Sequence, residues 1–198
     1  MKYLPTIPKT ARRITAVIAA ASAAGLIAAT VTSSSGAALA SDTARTTAAA
    51  VPACTAAGLG AWVAVSQSDG AAGSIFYPLQ FTNLTRHACA MRGFPGVSAI
   101  DRNGHQLGSP AGWDHTRPVR TVVLAPGATA HAILRYGDVT VATAPGCHPV
   151  SSMFELRVYP PGQRQATYAA FSMEACSRPG PVYLDVTPLQ AGVGTRNG

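Results

Sequence analysis

The chain of 198 residues is 47% hydrophobic and 12% charged, and it carries a formal charge of +7. Its charges form no run of like sign and no clustered basic stripe, which excludes a nucleic-acid partner. Neither a phosphate-cradling loop nor a dinucleotide fingerprint occurs, and no cofactor is expected.

Residues 1–40 read as an export address. Lys2, Lys9, Arg12 and Arg13 make a basic start, Ile14 to Val31 carries no charge, and Ala38-Leu39-Ala40 is an A-x-A cleavage site. That order is the order of a secretory signal peptide removed after Ala40. An uncleaved membrane anchor is the alternative, weakened because alanine dominates the uncharged run and is a poor membrane residue. Arg12-Arg13 raises a twin-arginine route, but the residues around it match that pattern poorly. No cysteine sits at the cleavage site, so no lipid anchor is expected, and the mature chain is read as secreted, with no membrane attachment. Cleavage removes every lysine and leaves eleven arginines against eight acids, a solubilising surface. Residues 41–51 are small and polar and read as a flexible linker, residues 52–192 as one folded domain, and residues 193–198 as a loose tail.

Inside the domain, Ala61 to Ser66 is a short β-prone run, and Ser68-Asp69-Gly70 a turn. Ser74 to Phe81 alternates with period two, Ile75, Tyr77, Leu79 and Phe81 on one face and Phe76, Pro78 and Gln80 on the other, as in a half-buried strand. Pro78 lacks an amide hydrogen, which places it at an edge or a bulge. Asn83-Leu84-Thr85 fits a glycosylation acceptor and, more simply, a turn. Gly93-Phe94-Pro95-Gly96 makes a corner, with Phe94 expected to plug one end of the core. Val97 to Arg102 is the next strand, and Asn103-Gly104 predicts a type I′ hairpin turn. Gly108 to Pro118 is the longest irregular stretch. Strands are then expected at Thr121 to Leu124, Ala128 to Tyr136, Phe154 to Tyr159, Ala166 to Phe171 and Val182 to Val186. Phe154, Leu156 and Val158 should face inward, and His131 should be solvated on a polar face.

No stretch outside the export segment keeps a 3.6-residue apolar stripe. The fold class is therefore all-β, an immunoglobulin-like β-sandwich of about seven to nine short strands with two disulfides. Cys54, Cys89, Cys147 and Cys176 make an even set in an oxidising compartment. A structural metal is the rival, with His87 and His148 close by, but the tight C-x-x-C pairs of such sites are missing. Cys54 and Cys89 are centred at 71.5, near the first hairpin turn, and Cys147 and Cys176 at 161.5, near Pro160 to Gln163. Residues equidistant from a hairpin turn lie opposite each other, which favours Cys54 with Cys89 and Cys147 with Cys176 over the two other pairings.

Cys54, the Phe81-Thr82-Asn83 strand end, Cys89-Ala90-Met91-Arg92-Gly93-Phe94-Pro95-Gly96-Val97, Leu124-Ala125-Pro126-Gly127, Cys147, Cys176 and Val186-Thr187-Pro188 together give the domain a pattern. In it the chain resembles the secreted actinobacterial domain-of-unknown-function 4232 family. The resemblance implies an exported four-cysteine β domain and no reaction. This sequence departs from the lipid-anchored members by lacking their anchoring cysteine.

Catalytic residues are not found. A serine hydrolase needs a nucleophile, a histidine and a carboxylate on a strained turn; the nearest match, Gly96-Val97-Ser98-Ala99-Ile100, fails at its last position. Glu155 and Glu174 are the only glutamates, and Glu155 falls on an outward face, which disfavours a glycosidase pair. Asp101, His105, Asp114 and His115 would hold a metal only if hairpin and loop converge, and none is expected. The ligand-binding candidates are Trp113, Asp114, His115 and Arg117, with Thr116 between them: an aromatic beside a carboxylate, an imidazole and a guanidinium suits a sugar or cell-wall fragment. Trp113 is expected first to tuck under its loop, since a lone loop tryptophan more often caps a core than presents a platform. The chain is thus expected to be a non-enzymatic envelope or extracellular binding module. Its partner would be a cell-wall glycan or an envelope protein; a secreted hydrolase is the competing class.

Overall fold

The computed structural model describes residues 50–71, 73–139 and 146–195, with backbone alone at 151–154. The expected signal peptide, residues 41–49 of the linker, the side chain of Phe154 and residues 196–198 of the tail lie outside the described residues. Among those described, no helix is long and apolar enough to cross a membrane.

The domain is all-β. In chain order its strands are β1 (Leu59–Val63), β2 (Asp69–Ala71), β3 (Ser74–Asn83), β4 (Cys89–Arg92), β5 (Gly96–Ile100), β6 (Gln106–Leu107), β7 (Gly112–Trp113), β8 (Thr121–Leu124), β9 (Thr129–Gly137), β10 (Pro149–Tyr159), β11 (Thr167–Cys176), β12 (Leu184–Val186) and β13 (Gln190–Ala191). A large sheet runs β1-β3-β9-β12-β7, with β2 beside β3 and β13 beside β9; a second runs β11-β10-β5-β6, and β4 pairs with β8 alone.

The alternating strands build the core. In the antiparallel register of β3 and β9, Phe81 lies opposite Ala130, Leu79 opposite Ala132 and Tyr77 opposite Leu134. All six are buried, and large residues against alanines let the inner face pack level. Leu156, Val158, Ala169 and Phe171 supply the facing surface from β10 and β11. The layers meet where Tyr77 sets its ring edge-on to Phe171, with centroids 4.9 Å apart at 76°. Met91, Val122 and Leu124 close the core from the β4–β8 pair. Each fully buried leucine or phenylalanine contributes roughly 1.5–3 kcal/mol.

Several local expectations change. Pro78 is on neither an edge nor a bulge of its own strand: β3 lies between β9 and the β1/β2 side. Its carbonyl accepts from Ala64 N at 2.9 Å, just where β1 has ended and a 3-10 turn over Val65–Gln67 precedes β2. The missing amide hydrogen therefore faces a break in the neighbouring strand, where no ladder bond is lost. The Asn103-Gly104 turn is not the two-residue form. Gly104 N donates to Asp101 O at 3.0 Å and Asp101 N to His105 O at 2.9 Å, so three residues form the loop and Gly104, at φ +79°, takes the left-handed position. Asp101 imposes this by accepting from Asn103 N and His105 N, both at 2.8 Å.

His131 is not solvated. It is 4% exposed, with Nδ1 2.9 Å from Gly192 O, because the chain after β13 folds back over the outer face of β3 and β9. There Gly194 carries its carbonyl to Gln80 Nε2 at 3.2 Å, and a Cβ on it would lie 2.8 Å from both His131 and Pro78. The chain therefore stays packed beyond Gly192. Asn83 is fully buried, donating from Nδ2 to His87 O (2.8 Å) and Leu124 O (3.0 Å) and accepting from Thr85 through Oδ1. Its amide nitrogen is consumed inside the turn, which settles that segment as structural.

The disulfides are Cys54–Cys89 and Cys147–Cys176, the favoured pairing, and no described cysteine is free for a metal. In the β10–β11 register Cys176 lies opposite Pro149, so Cys147 bonds across just past the strand end. Cys54 reaches Cys89 from a parallel bridge of Ala53 with Ala90, past the antiparallel β1–β3 ladder.

Candidate functional site

Three backbone contacts fix one corner of the surface. Ala111 N donates to Val97 O at 2.8 Å, Asp114 N to Val186 O at 2.8 Å, and Leu189 N to Gly93 O at 3.0 Å. The first two clamp β7 and the start of its loop against β5 and β12, with Trp113 in parallel register opposite Val186. The third draws the Gly93 corner onto the segment that follows β12. Val186 to Leu189 thus holds both the loop and the corner. Gly112 lets β7 come this close, since a Cβ there would lie 2.4 Å from Asp185 Oδ1.

The corner brings Phe94 to Trp113. Their rings stack with centroids 5.1 Å apart and planes 8° from parallel, and His115 meets Phe94 edge-on at 4.8 Å and 60°. Trp113 remains 59% exposed. The expectation that it tucks under its loop is therefore corrected, and so is the role foreseen for Phe94. Phe94 is half-buried beneath the indole instead of plugging the core, because the positive φ of Gly93, +113°, swings the corner outward. The tryptophan is supported from below and open above.

Asp114 does not point to a ligand by itself. Its Oδ1 accepts from Thr116 N at 2.8 Å. That backbone bond, then one from the Thr116 side chain, with smaller help from Arg117 and Arg135, holds its carboxyl below the ordinary range. The loop is thereby folded back, and the Asp114 carboxyl stays ionised at neutral pH. Arg117 turns away from the rings, donating from Nη1 to Gln190 Oε1 at 2.9 Å. It forms one wall of a groove of about 590 Å³, with Pro118, Arg120, Thr121, Leu189 and Gln190 among its other lining residues. The four candidates therefore divide: Trp113 and His115 join Phe94 in a ring platform, Asp114 shapes the loop, and Arg117 belongs to the groove. Phe94, Arg120 and Gln190 escaped sequence reasoning; the glycines flanking Phe94 were the one local hint that it could project.

The hairpin tip holds an imidazole–carboxylate pair of its own. His105 Nδ1 lies 3.2 Å from Asp101 Oδ2 on the hairpin tip. The Asp101 carboxyl is held low chiefly by the backbone N–H of His105. Among the described residues, no three His, Cys, Asp or Glu side chains gather as a metal site would require.

These features define a class: a disulfide-bonded all-β domain presenting a supported, exposed aromatic platform beside a cationic groove. Residues 54–190 match the family described as a domain of unknown function (DUF4232), and the chain belongs to it. No curated protein and no solved structure matches the chain.

Proposed function

We propose that the protein is an exported, non-enzymatic binding module with an immunoglobulin-like sandwich arrangement, and that it binds cell-wall saccharide on the Trp113 platform. One observation carries the reading: Trp113 is 59% exposed yet held parallel to Phe94 at 5.1 Å. An indole fixed in orientation and left open on its outer side suits the apolar face of a sugar ring. Its rigidity lowers the ordering cost of binding. His115, edge-on to Phe94, flanks it with ring nitrogens that can orient hydroxyl groups. Two disulfides are in keeping with an oxidising, extracellular compartment.

Among the described residues, the hydrolase reading has one imidazole–carboxylate pair to draw on, His105 with Asp101. That imidazole is 76% exposed at a hairpin tip, outside a cleft that could position a substrate. His131 is bonded to backbone and His115 packs on Phe94, and among the described residues neither forms an ion pair with a carboxylate.

Titrating soluble peptidoglycan fragments while following tryptophan emission tests the proposal. The chain has two tryptophans, so Trp113→Ala reports the Trp62 background. A saturable change in wild type that Trp113→Ala lacks is expected; identical traces would sink the saccharide reading.

A further inference from the structure

The groove beside the platform lies between two strand edges whose hydrogen-bonding directions can be derived. In an antiparallel pair, residues with N–H and C=O facing the partner alternate with residues whose groups face away. Ala90 of β4 gives its N–H to Pro52 O at 2.8 Å, and its C=O accepts from Cys54 N at 3.0 Å, so both groups point away from β8. Its register partner Val123 therefore faces away from β4, and so does Thr121, two residues earlier. Across the groove, Gly192 N donates to Thr129 O at 2.9 Å. The shared register then turns Gln190 toward His131 and Ala191 away from β9. Thr121, Val123 and Ala191 are all exposed, and no hydrogen bond among the described residues uses these outward backbone groups.

The side chains around these edges share one sign. Arg117 and Arg120 line the groove with no acid among its lining residues, and Arg120 forms no ion pair among the described residues. Below them lie Val122 and Leu189, 5% and 1% exposed. A saccharide has no use for a row of unpaired strand amides, whereas an extended polypeptide matches their spacing residue by residue.

We propose that this groove is a strand-addition site for an extended, acidic segment of a partner protein. The segment pairs with the outer edge of β8 through Thr121 and Val123. Its alternate side chains fall on opposite faces, one set over Val122 and Leu189 and the other beside Arg117 and Arg120. There, carboxylates form charge-assisted bonds to guanidinium. The site is separate from the Trp113 platform and does not depend on the saccharide reading. The competing account of the same residues is that the arginines only guard a bare edge against self-association.

The probe is a terminally blocked octapeptide of alternating valine and glutamate, titrated into the full-length, disulfide-bonded chain with amide chemical shifts as readout. Saturable shifts at Thr121, Val123 and Ala191 are expected. Arg117→Gln with Arg120→Gln should weaken binding at least about tenfold, as loss of charge-assisted contacts implies. N-methylation of alternate peptide amides should abolish binding, while a valine–lysine peptide should not bind. No saturable shift, or shifts confined to the Trp113 loop, would overturn the proposal. Equal binding of the N-methylated peptide, or of an anionic oligosaccharide, would overturn it in favour of a simple anion site. Arg120 is exposed and Arg117 half-buried, and an amide spectrum of the double variant unchanged away from the groove shows that it folds.

Discussion

The molecule has two groups of aromatic rings built by the same chemistry and put to opposite uses. Inside, Tyr136 and Tyr183 meet edge-on at 6.3 Å and 87°, are 2% and 3% exposed, and anchor their hydroxyls on Glu174 O and Leu107 O. Outside, Phe94, Trp113 and His115 pack at similar separations, but their largest ring is mostly in water. The interior group excludes solvent and satisfies its polar atoms, which is what a core requires. The surface group holds its geometry while leaving apolar area uncovered, at a cost the fold recovers only if something else covers it. Ring contacts alone are therefore much the same in the two groups, and burial is what differs between them.

The largest test of that contrast is a pair of truncations. Tyr183→Ala should lower stability by about 3–5 kcal/mol, as large-to-small changes in a packed core do. Trp113→Ala should lower it by about 1.5 kcal/mol at most, the worth of a ring pair. Equal losses in chemical denaturation would erase the distinction. Next in size, replacing Cys54 and Cys89 together by serine should cost on the order of 3 kcal/mol by freeing the unfolded chain. Emission from the Trp113 stack should stay unchanged at low denaturant, because other contacts hold the platform; a shifted emission would tie it to that disulfide.

Titration should separate the groups at opposite ends of the pH scale. Burial pushes the Tyr136 phenol up to about 12 and the Tyr183 phenol higher still. Their contribution is thus full below the ordinary value near 10 and is lost as pH rises from there toward the folded values. The Asp114 carboxyl is held low, so its contribution is present above the ordinary carboxylate range and fades as pH falls through it. Phenolate absorbance of the folded protein near the ordinary value that Tyr136→Phe with Tyr183→Phe removes, or stability flat across the alkaline range, would contradict the interior assignment. The smallest effect should come from Phe94→Leu. About 1 kcal/mol or less of stability is expected to be lost, with a shift of tryptophan emission as the indole loses its support. An unchanged spectrum would mean the stack does not orient Trp113.

What the sequence disclosed followed the range of each interaction. Period-two alternation exposed β3 and β9 because every second side chain enters the core, and hairpin symmetry favoured the disulfide pairing that is found, although a parallel bridge and not the hairpin ladder brings Cys54 to Cys89. By contrast β7 and β13, two residues each, hold too few side chains to show a period. They exist because β12 and β9 offer them ladder bonds from distant chain. His131 looked solvated because nothing nearby reveals that Gly194 will cover it. Phe94 and Trp113 are far enough apart in sequence, and joined through Leu189 and Val186, that their stacking was invisible. The Asn103-Gly104 turn was misread because Asp101, two residues before, bonds its own hairpin and lengthens the loop by one. The candidate loop was legible as a list of side chains, while its division into platform and groove was not.

The segment from Val186 to Leu189, which secures both Phe94 and Trp113, lies at the C-terminal end of residues 54–190, the stretch that matches the family. A polypeptide appears from its N-terminus, so both rings emerge long before the strands that clamp them. The platform is consequently among the last features completed in biosynthesis. A product broken off before Val186 would carry the aromatic residues without their arrangement.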